Sequence, residues 1–445
     1  REFLALPPSP HIVPQYVDIE KDISTLELPN GITVKRMNRY SGSDLFRAER
    51  VIDLSKYNDP RLELALGYLD YLGTDRYTAE TLRQEFYKLG VKFEFSIDKY
   101  QLTAELSGPA GNLARSVELL EHFLADARPD EDAFRMFVEG ILKDRADAKL
   151  NPGAVFVRTA SYAWYGKRNP QTALVSEAEL KKMKPEELLA LLRKVFSTYK
   201  TTFAYAGPDS METVAEAAKH IRLTGRETPP RAVKYTLQEV VKPKIYLVDF
   251  DTVQMRVGFT SRGPLFSLKS LPYGDLFNEY FCSGLDSIVF QEIREARALA
   301  YSAGGSYEQI QEKGRHNAIY MVAGTQSDKL FEVIDTMRAK MPQYEGKFNS
   351  SKDALLKRLE TERVLGLDLL NFEKKMKRMG TTRDWRPAEF KTVQKMTLPE
   401  LSDFYRKNLA PLKYDILIVG KTSQIDRKRL ARYGEIVDLK LEDIF

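Results

Sequence analysis

The sequence predicts an α+β fold that occurs twice, as two duplicated domains in which an antiparallel sheet is covered by helices. Its 445 residues exceed one ordinary core and suit two domains of about 200 residues each. The order of strands and helices predicted for the first half recurs in the second half. The pattern Lys-Met-x-x-x-Glu-Leu occurs at residues 182–188 and again, without a gap, at residues 395–401. At the same offset (395 − 182 = 213), Gly207 aligns with Gly420, each after a short apolar strand.

Local patterns predict the elements of the first half. Alternating apolar residues around Pro29-Asn30-Gly31 predict a hairpin, Pro60 can open a helix, and Gly90 can end one. The predicted strands and hairpins cover residues 26–34, 45–54, 91–97, 101–107 and 203–206. The predicted helices cover residues 60–72, 78–89, 113–125, 131–150, 155–165, 185–195 and 210–220.

The second half repeats this order after a polar segment with Pro229-Pro230, where we place the domain boundary. Its predicted strands cover residues 245–248, 254–259, 301–307, 315–323 and 415–419. Its predicted helices cover residues 271–281, 287–297, 329–341, 352–365, 370–379 and 398–408. The predicted organisation is a leader (1–23), a first domain (24–223), a linker (224–239) and a second domain (240–445).

The start of the chain has the character of a linker. It begins Arg1-Glu2-Phe3, with no Met and no signal peptide, and residues 6–14 are rich in Pro. We therefore expect a piece of a larger protein or a processed product.

Composition excludes several classes of protein. The net charge of +5 is small and is not gathered into long runs, so we expect no nucleic-acid partner. No apolar run approaches the roughly 18 residues of a membrane helix, and Cys282 alone allows no intrachain disulfide. We expect a soluble protein; the sequence does not fix its compartment, although we favour the periplasm over the cytoplasm.

The histidines do not form a local zinc pair, because no two lie within a helical turn or two of each other. We interpret all four as structural: His11, His122, His220 and His316.

Several segments resemble the insulinase/pitrilysin family of zinc metallopeptidases, whose catalytic motif is HxxEH. They are the opening LPNGITV, the Gly73-Thr74 pair after a helix, and the segment FQEIREARALAYS at residues 290–302. The resemblance covers nearly the whole chain and implies the metallopeptidase fold known as LuxS/MPP-like. Family members have four such domains, two per half, which close over a peptide; this chain has the length of one half.

The chain departs from the family where the zinc ligands belong. Counting back from Gly73-Thr74, the HxxEH positions hold Leu64, Gly67 and Tyr68, so both imidazoles and the general base are absent. In the second copy the same positions hold Asp275, Asn278 and Glu279. For these we favour two solvated acids beside a core Asn over a metal site. We expect no metal or cofactor in this chain, and zinc in a partner half.

An Arg and a Tyr spaced as Arg294 and Tyr301 contact substrate from the non-zinc half of family members. The resemblance therefore implies a substrate-binding or oxyanion role for this pair. At an offset of 211, Arg83 matches Arg294 but Gly90 matches Tyr301, so only the second domain carries the pair. Gly304 and Gly305 are candidates for a strand edge that accepts a peptide, with a plain β-bulge as the equal alternative.

The resulting hypothesis is the non-catalytic C-terminal half of a two-half zinc metalloendopeptidase, inactive when isolated. Its expected partners are a peptide substrate and an HxxEH half, in the same polypeptide or as a separate subunit. The alternative is an inactive scaffold or peptide-binding subunit of a larger complex. An independent enzyme is a third possibility, but the sequence shows neither a nucleophile–base constellation nor a phosphate loop.

Overall fold

The computed structural model describes residues 12–40, 42–282, 300–338 and 344–445, with the backbone alone for Tyr301. Two compact units result. The first unit contains Ile19–Thr236, Leu365–Lys374 and Lys440–Phe445. The second unit contains Leu237–Val364, Lys375–Leu439 and, before them, residues 12–18.

The first unit is built on one six-stranded sheet with the order β1-β2-β6-β3-β5-β4. Its strands are β1 (Ile23–Glu27), β2 (Thr33–Met37), β3 (Leu45–Ile52), β4 (Lys92–Ile97), β5 (Leu102–Pro109) and β6 (Thr202–Ala206). Its helices are α1 (Ile19–Asp22), α2 (Arg61–Leu69), α3 (Ala79–Lys88), α4 (Leu113–Asp126), α5 (Glu131–Lys149), α6 (Pro152–Tyr165), α7 (Glu177–Leu180), α8 (Pro185–Thr198) and α9 (Met211–Ala218). A single continuous apolar core joins one face of this sheet to the helices.

The second unit repeats this plan with the strand order β12-β7-β11-β8-β10-β9. Its strands are β7 (Lys244–Asp249), β8 (Met255–Leu265), β9 (Ala300–Glu308), β10 (His316–Thr325), β11 (Asp415–Gly420) and β12 (Glu435–Leu439). Its described helices are α10 (Leu271–Phe277), α11 (Leu330–Met337), α12 (Glu345–Thr361), α14 (Arg386–Lys395), α15 (Leu398–Asn408) and α16 (Arg427–Leu430). Helix α13 (Asp368–Met379) contributes residues to both units, and α17 (Leu441–Ile444) belongs to the first.

The predicted α+β class and its duplication are confirmed, because each unit carries a six-stranded sheet with helices. The sheets are mixed and not purely antiparallel, since β2 pairs in parallel with β6, and β7 pairs in parallel with β11 and β12. Long connections that contain helices separate these strands in the chain, and such connections permit parallel pairing.

Most of the predicted elements are present with shifted ends. The hairpins β1–β2 and β4–β5 are confirmed. The sequence analysis missed β12, α14 and several single-turn helices. The predicted helix 287–297 lies outside the described residues, as do His11 and the last residues of the predicted helix 329–341. Across the described part of the chain, no helix is long and apolar enough to cross a membrane.

Candidate functional site

The residues at the first HxxEH-like position lie on α2 and pack against neighbouring apolar side chains. The Tyr68 ring is fully buried and stacks edge-on against Phe134, with ring centroids 5.1 Å apart. A Cβ atom on Gly67 would meet the ring of Phe137 at 3.5 Å. Leu64 packs against the apolar core. Leu64, Gly67 and Tyr68 therefore contribute to a hydrophobic cluster between α2 and α5.

The hydroxyl of Tyr68 is hydrogen-bonded within the protein. It donates to the carbonyl of Asp130 at 2.7 Å and accepts from the Asp130 N–H at 2.9 Å. Burial raises the pKa of this hydroxyl. Leu64 and Gly67 have no side-chain atom that can bind a metal. The Tyr68 hydroxyl is already bonded to Asp130 at the start of α5. These three residues therefore do not fit a zinc ion.

The second position is polar, but its residues have other partners. The Asn278 side chain donates to the Tyr307 carbonyl at 2.9 Å and accepts from the Tyr307 N–H at 2.8 Å. The Glu279 carboxylate pairs with Arg358 at 2.5 Å. The Asn278 side chain therefore bonds the backbone of β9 as a neighbouring strand would. Through Arg358, Glu279 links the residues that follow α10 to α12.

The expectation of two solvated acids is wrong for Asp275. Its carboxyl group accepts a hydrogen bond from Gln309 Nε2 at 2.8 Å and is hydrogen-bonded to the buried Glu389 on α14. Burial, together with Asp275, raises the pKa of Glu389 to about 9. Lys375 lies nearby, and burial lowers its pKa although Asp275 opposes that change. Glu389 therefore remains protonated at neutral pH, because burial disfavours its charged form.

His122 is a buried residue of α4. With Asp75 and Asp126 it forms the one close group of three metal-ligand side chains among the described residues. Both ring nitrogens already have partners: Nε2 lies 2.9 Å from Thr74 Oγ1, and Nδ1 lies 3.0 Å from Asp126 Oδ2. Asp126 is also bonded to Arg222 at 3.2 Å. We therefore interpret the group as a structural network.

Of the predicted substrate-contacting pair, the structure describes the backbone of Tyr301 but not Arg294. Arg294 lies outside the described residues. Tyr301 lies in β9, at the only shift in the β9–β10 register: Gly324 pairs with Ser302, whereas Thr325 pairs with Ala300. A β-bulge of this kind redirects side chains and is frequent beside functional sites.

The offset of 211 does not hold at this point. Gly90 follows α3 with a φ of +66°, whereas Tyr301 lies inside a strand, so the two are not structural equivalents. Arg83 donates to the carbonyl of Asp70 and thus ties α3 to the end of α2.

The candidate glycines lie at the edge of the second sheet. Gly304 pairs with Val322 and Gly305 with Met321 in regular register, so neither glycine forms the bulge. A Cβ atom on Gly305 would lie 2.7 Å from the Tyr320 carbonyl oxygen, whereas one on Gly304 would meet nothing within 4 Å. Gly305 therefore permits the close approach of β9 to β10.

The edge of β9 offers backbone groups to a further strand. Because Asn278 bonds both backbone groups of Tyr307, those groups point away from β10. The alternation of an antiparallel pair directs the N–H and C=O groups of Ala303 and Gly305 the same way. Among the described strands, β10 alone pairs with β9. A strand edge of this kind, with backbone groups directed outwards, is the type to which other chains can add a strand.

Comparisons with known proteins agree with this description. Residues 182–345 match the family model described as the Peptidase M16 inactive domain. A search of curated proteins found no match. The predicted resemblance to an insulinase-family half without HxxEH is confirmed by this match and by the folds of solved relatives.

Three solved structures illustrate the shared fold. A peptidase M16 inactive domain from Pseudomonas fluorescens is 17% identical, with a TM-score of 0.71 over 90% of this chain and 98% of that one. The periplasmic protease PqqL from Escherichia coli is 14% identical, with a TM-score of 0.71 over 94% of this chain and 47% of that one. A mutant of the ferredoxin protease FusC, in complex with Arabidopsis ferredoxin, is 14% identical, with a TM-score of 0.70 over 93% of this chain and 47% of that one. The chain therefore spans about half the length of the two proteases.

Proposed function

We propose that this chain is the non-catalytic half of a two-half zinc metalloendopeptidase. A partner half would carry HxxEH and the zinc ion, in the same polypeptide or as a separate subunit. This chain would close the peptide chamber and supply contacts to the substrate. The packing of the first metal position carries the proposal, because the Tyr68 hydroxyl is bonded to Asp130 where the family has an imidazole.

In this proposal the second unit supplies the substrate contacts. The backbone groups of Ala303 and Gly305 would bind an extended peptide at the edge of β9. Tyr301, at the bulge of the same strand, would donate a hydrogen bond to the oxyanion that develops during cleavage, and Arg294 would stabilise the same charge. The zinc of the partner half would supply the Lewis acid for the scissile carbonyl.

The solved relatives support an assembly of this kind. This chain spans 47% of PqqL and of FusC, as expected of one half of a longer protease. The complex of FusC with ferredoxin supports a polypeptide as the substrate, and the location of PqqL supports the periplasm.

Reconstitution tests the proposal. The isolated chain is expected to contain no stoichiometric zinc by metal analysis and to leave an internally quenched peptide library intact. Mixing it with an HxxEH half from the same source should produce cleavage that neither half shows alone. One zinc per isolated chain would contradict the proposal. A stable complex without any gain in cleavage would instead identify this chain as a scaffold or peptide-binding subunit.

A further inference from the structure

The described apolar residues of the second unit form more than one cluster, and Phe281 and Tyr414 pack against two of them. One cluster includes Phe259 and Met321, and a separate cluster includes Phe277 and Ile319. Between them lies a cavity of about 280 Å³, lined by residues of both clusters. Protein interiors are otherwise close-packed, and a space of this size can hold a ligand.

The walls of the cavity combine aromatic and aliphatic side chains. Six rings line it: Phe259, Phe277, Phe281, Tyr405, Tyr414 and Tyr433. The volume exceeds the ~150 Å³ of an apolar cavity that admits benzene, and lies near the ~300 Å³ lower limit of small-molecule pockets. The cavity therefore suits a small ligand with an apolar body.

The polar groups of the lining favour a negative charge on that ligand. Arg338 and Lys413 both line the cavity, and its described lining contains no carboxylate. The Arg338 guanidinium lies 5.4 Å from the centre of the Tyr433 ring, and Lys413 Nζ donates to the Val241 carbonyl at 2.9 Å. Asp335 accepts from the Tyr433 hydroxyl at 2.8 Å and fixes that ring.

A third polar group lacks a good partner. The hydroxyl of Tyr414 reaches the carbonyl of Leu409 only at 3.5 Å, at the limit of a hydrogen bond. Burial raises the pKa of this phenol, so it remains a neutral donor. A buried donor with so long a bond gains from a ligand acceptor.

We propose that this cavity binds a small amphipathic carboxylate, such as a medium-chain aliphatic acid. The alkyl chain would lie among the six rings, and the carboxylate would bind Arg338 and Lys413. The site is separate from the edge of β9, so the inference does not depend on the proposed peptidase function.

Calorimetric titration of the full chain with octanoate tests the proposal, with octan-1-ol as the neutral match. Octanoate is expected to bind about tenfold more tightly than octanol, as a charge-assisted hydrogen bond would provide. The double variant Arg338→Gln/Lys413→Gln should reduce this preference to near unity. Arg115→Gln, which removes an exposed guanidinium from the first unit, should leave the preference unchanged.

A cavity-filling variant tests the location. Met321→Trp should abolish the binding of both probes while the protein still melts cooperatively. Crystals of the unaltered chain soaked with ω-bromo-octanoate provide a second measurement if this variant does not fold, because the bromine should appear among the six rings. The proposal is wrong if octanoate does not bind, if Met321→Trp binds it normally, or if the bromine lies elsewhere.

Discussion

Single residues decide whether this chain can hold a metal, and Tyr68 is the most informative of them. Sequence comparison alone shows that Leu64, Gly67 and Tyr68 stand where ligands are expected. What these residues do instead of binding a metal depends on partners distant in the chain. Tyr68, for example, bonds to Asp130 and packs on Phe134. No local pattern indicates such contacts. The absence of ligands was therefore predictable, whereas the hydrophobic cluster was not.

The first prediction concerns the stability contributed by the Tyr68 hydroxyl. Tyr68→Phe keeps the ring but removes the hydroxyl that bonds both the N–H and the C=O of Asp130. We expect the free energy of unfolding to fall by about 1–3 kcal/mol, measured by urea denaturation. Tyr71→Phe is the matched control, because the Tyr71 side chain is 46% exposed. An equal and small effect of both changes would contradict the structural role.

The second prediction concerns catalysis by the reconstituted pair of halves. The Tyr301 hydroxyl would bind the oxyanion, which exists only along the reaction path. Tyr301→Phe should therefore lower kcat by about 10²–10³ with little change in KM. Arg294→Ala should lower kcat and can also raise KM, because a guanidinium binds ground-state carbonyls as well. A normally folded Tyr301→Phe variant with full kcat would exclude the oxyanion role and favour a scaffold.

At the scale of elements, short-range patterns predicted hairpins and helices but not the position of each strand in its sheet. The hairpin β1–β2 follows from its turn residues, and the sequence signal for it is local. The parallel pairing of β2 with β6 joins residues far apart in the chain, and no local signal indicates it. The same limit applies to β9, because no local signal indicates that this strand lies at the edge of its sheet.

The third prediction concerns the edge of β9. Ala303→Pro removes an N–H group that points away from β10, so no bond within the sheet is lost, and Pro is tolerated in edge strands. The variant should bind an extended peptide about three- to tenfold more weakly, as the loss of one backbone hydrogen bond implies. Fluorescence anisotropy with a labelled substrate peptide measures this change.

Two controls accompany this measurement. Ala303→Val keeps the N–H group and should bind the peptide normally. Gly304→Pro removes an N–H group that faces β10, so it should lower the melting temperature. Peptide binding that is unchanged in a folded Ala303→Pro variant would place the peptide elsewhere.

At the scale of the whole molecule, duplication was the strongest result of the sequence analysis. The repeat at residues 182–188 and 395–401 marked equivalent places in two units of the same fold. The offset failed near Gly90 and Tyr301, because insertions shift the copies relative to each other and a single offset cannot describe them. Differences between the copies, such as the cavity among the apolar residues of the second unit, depend on packing and required the structure.

The last prediction concerns pH and the stability of the whole chain, because each unit buries a glutamate whose pKa is strongly raised, and the second unit also buries Asp415, whose pKa is raised to about 6. Burial, with Glu105 adding to it, raises the pKa of Glu49 in the first unit to about 7. Burial, with Asp275 adding to it, raises that of Glu389 in the second unit to about 9. In the unfolded chain both groups ionise near pH 4.3. Below that pH both states hold the proton, so the full stability is present.

As the pH rises, the unfolded chain loses these protons before the folded chain does, so stability must fall. The fall should end near pH 7 for the first unit and continue towards pH 9 for the second. The fall should be larger for Glu389 than for Glu49, because its pKa is raised further. Glu49→Gln and Glu389→Gln remove the titrating groups, and each should flatten the fall of the melting temperature in its own pH range. Glu118→Gln, an exposed carboxylate beside Arg115, should leave both slopes unchanged. A slope that persists in the double variant would assign the pH dependence to other groups.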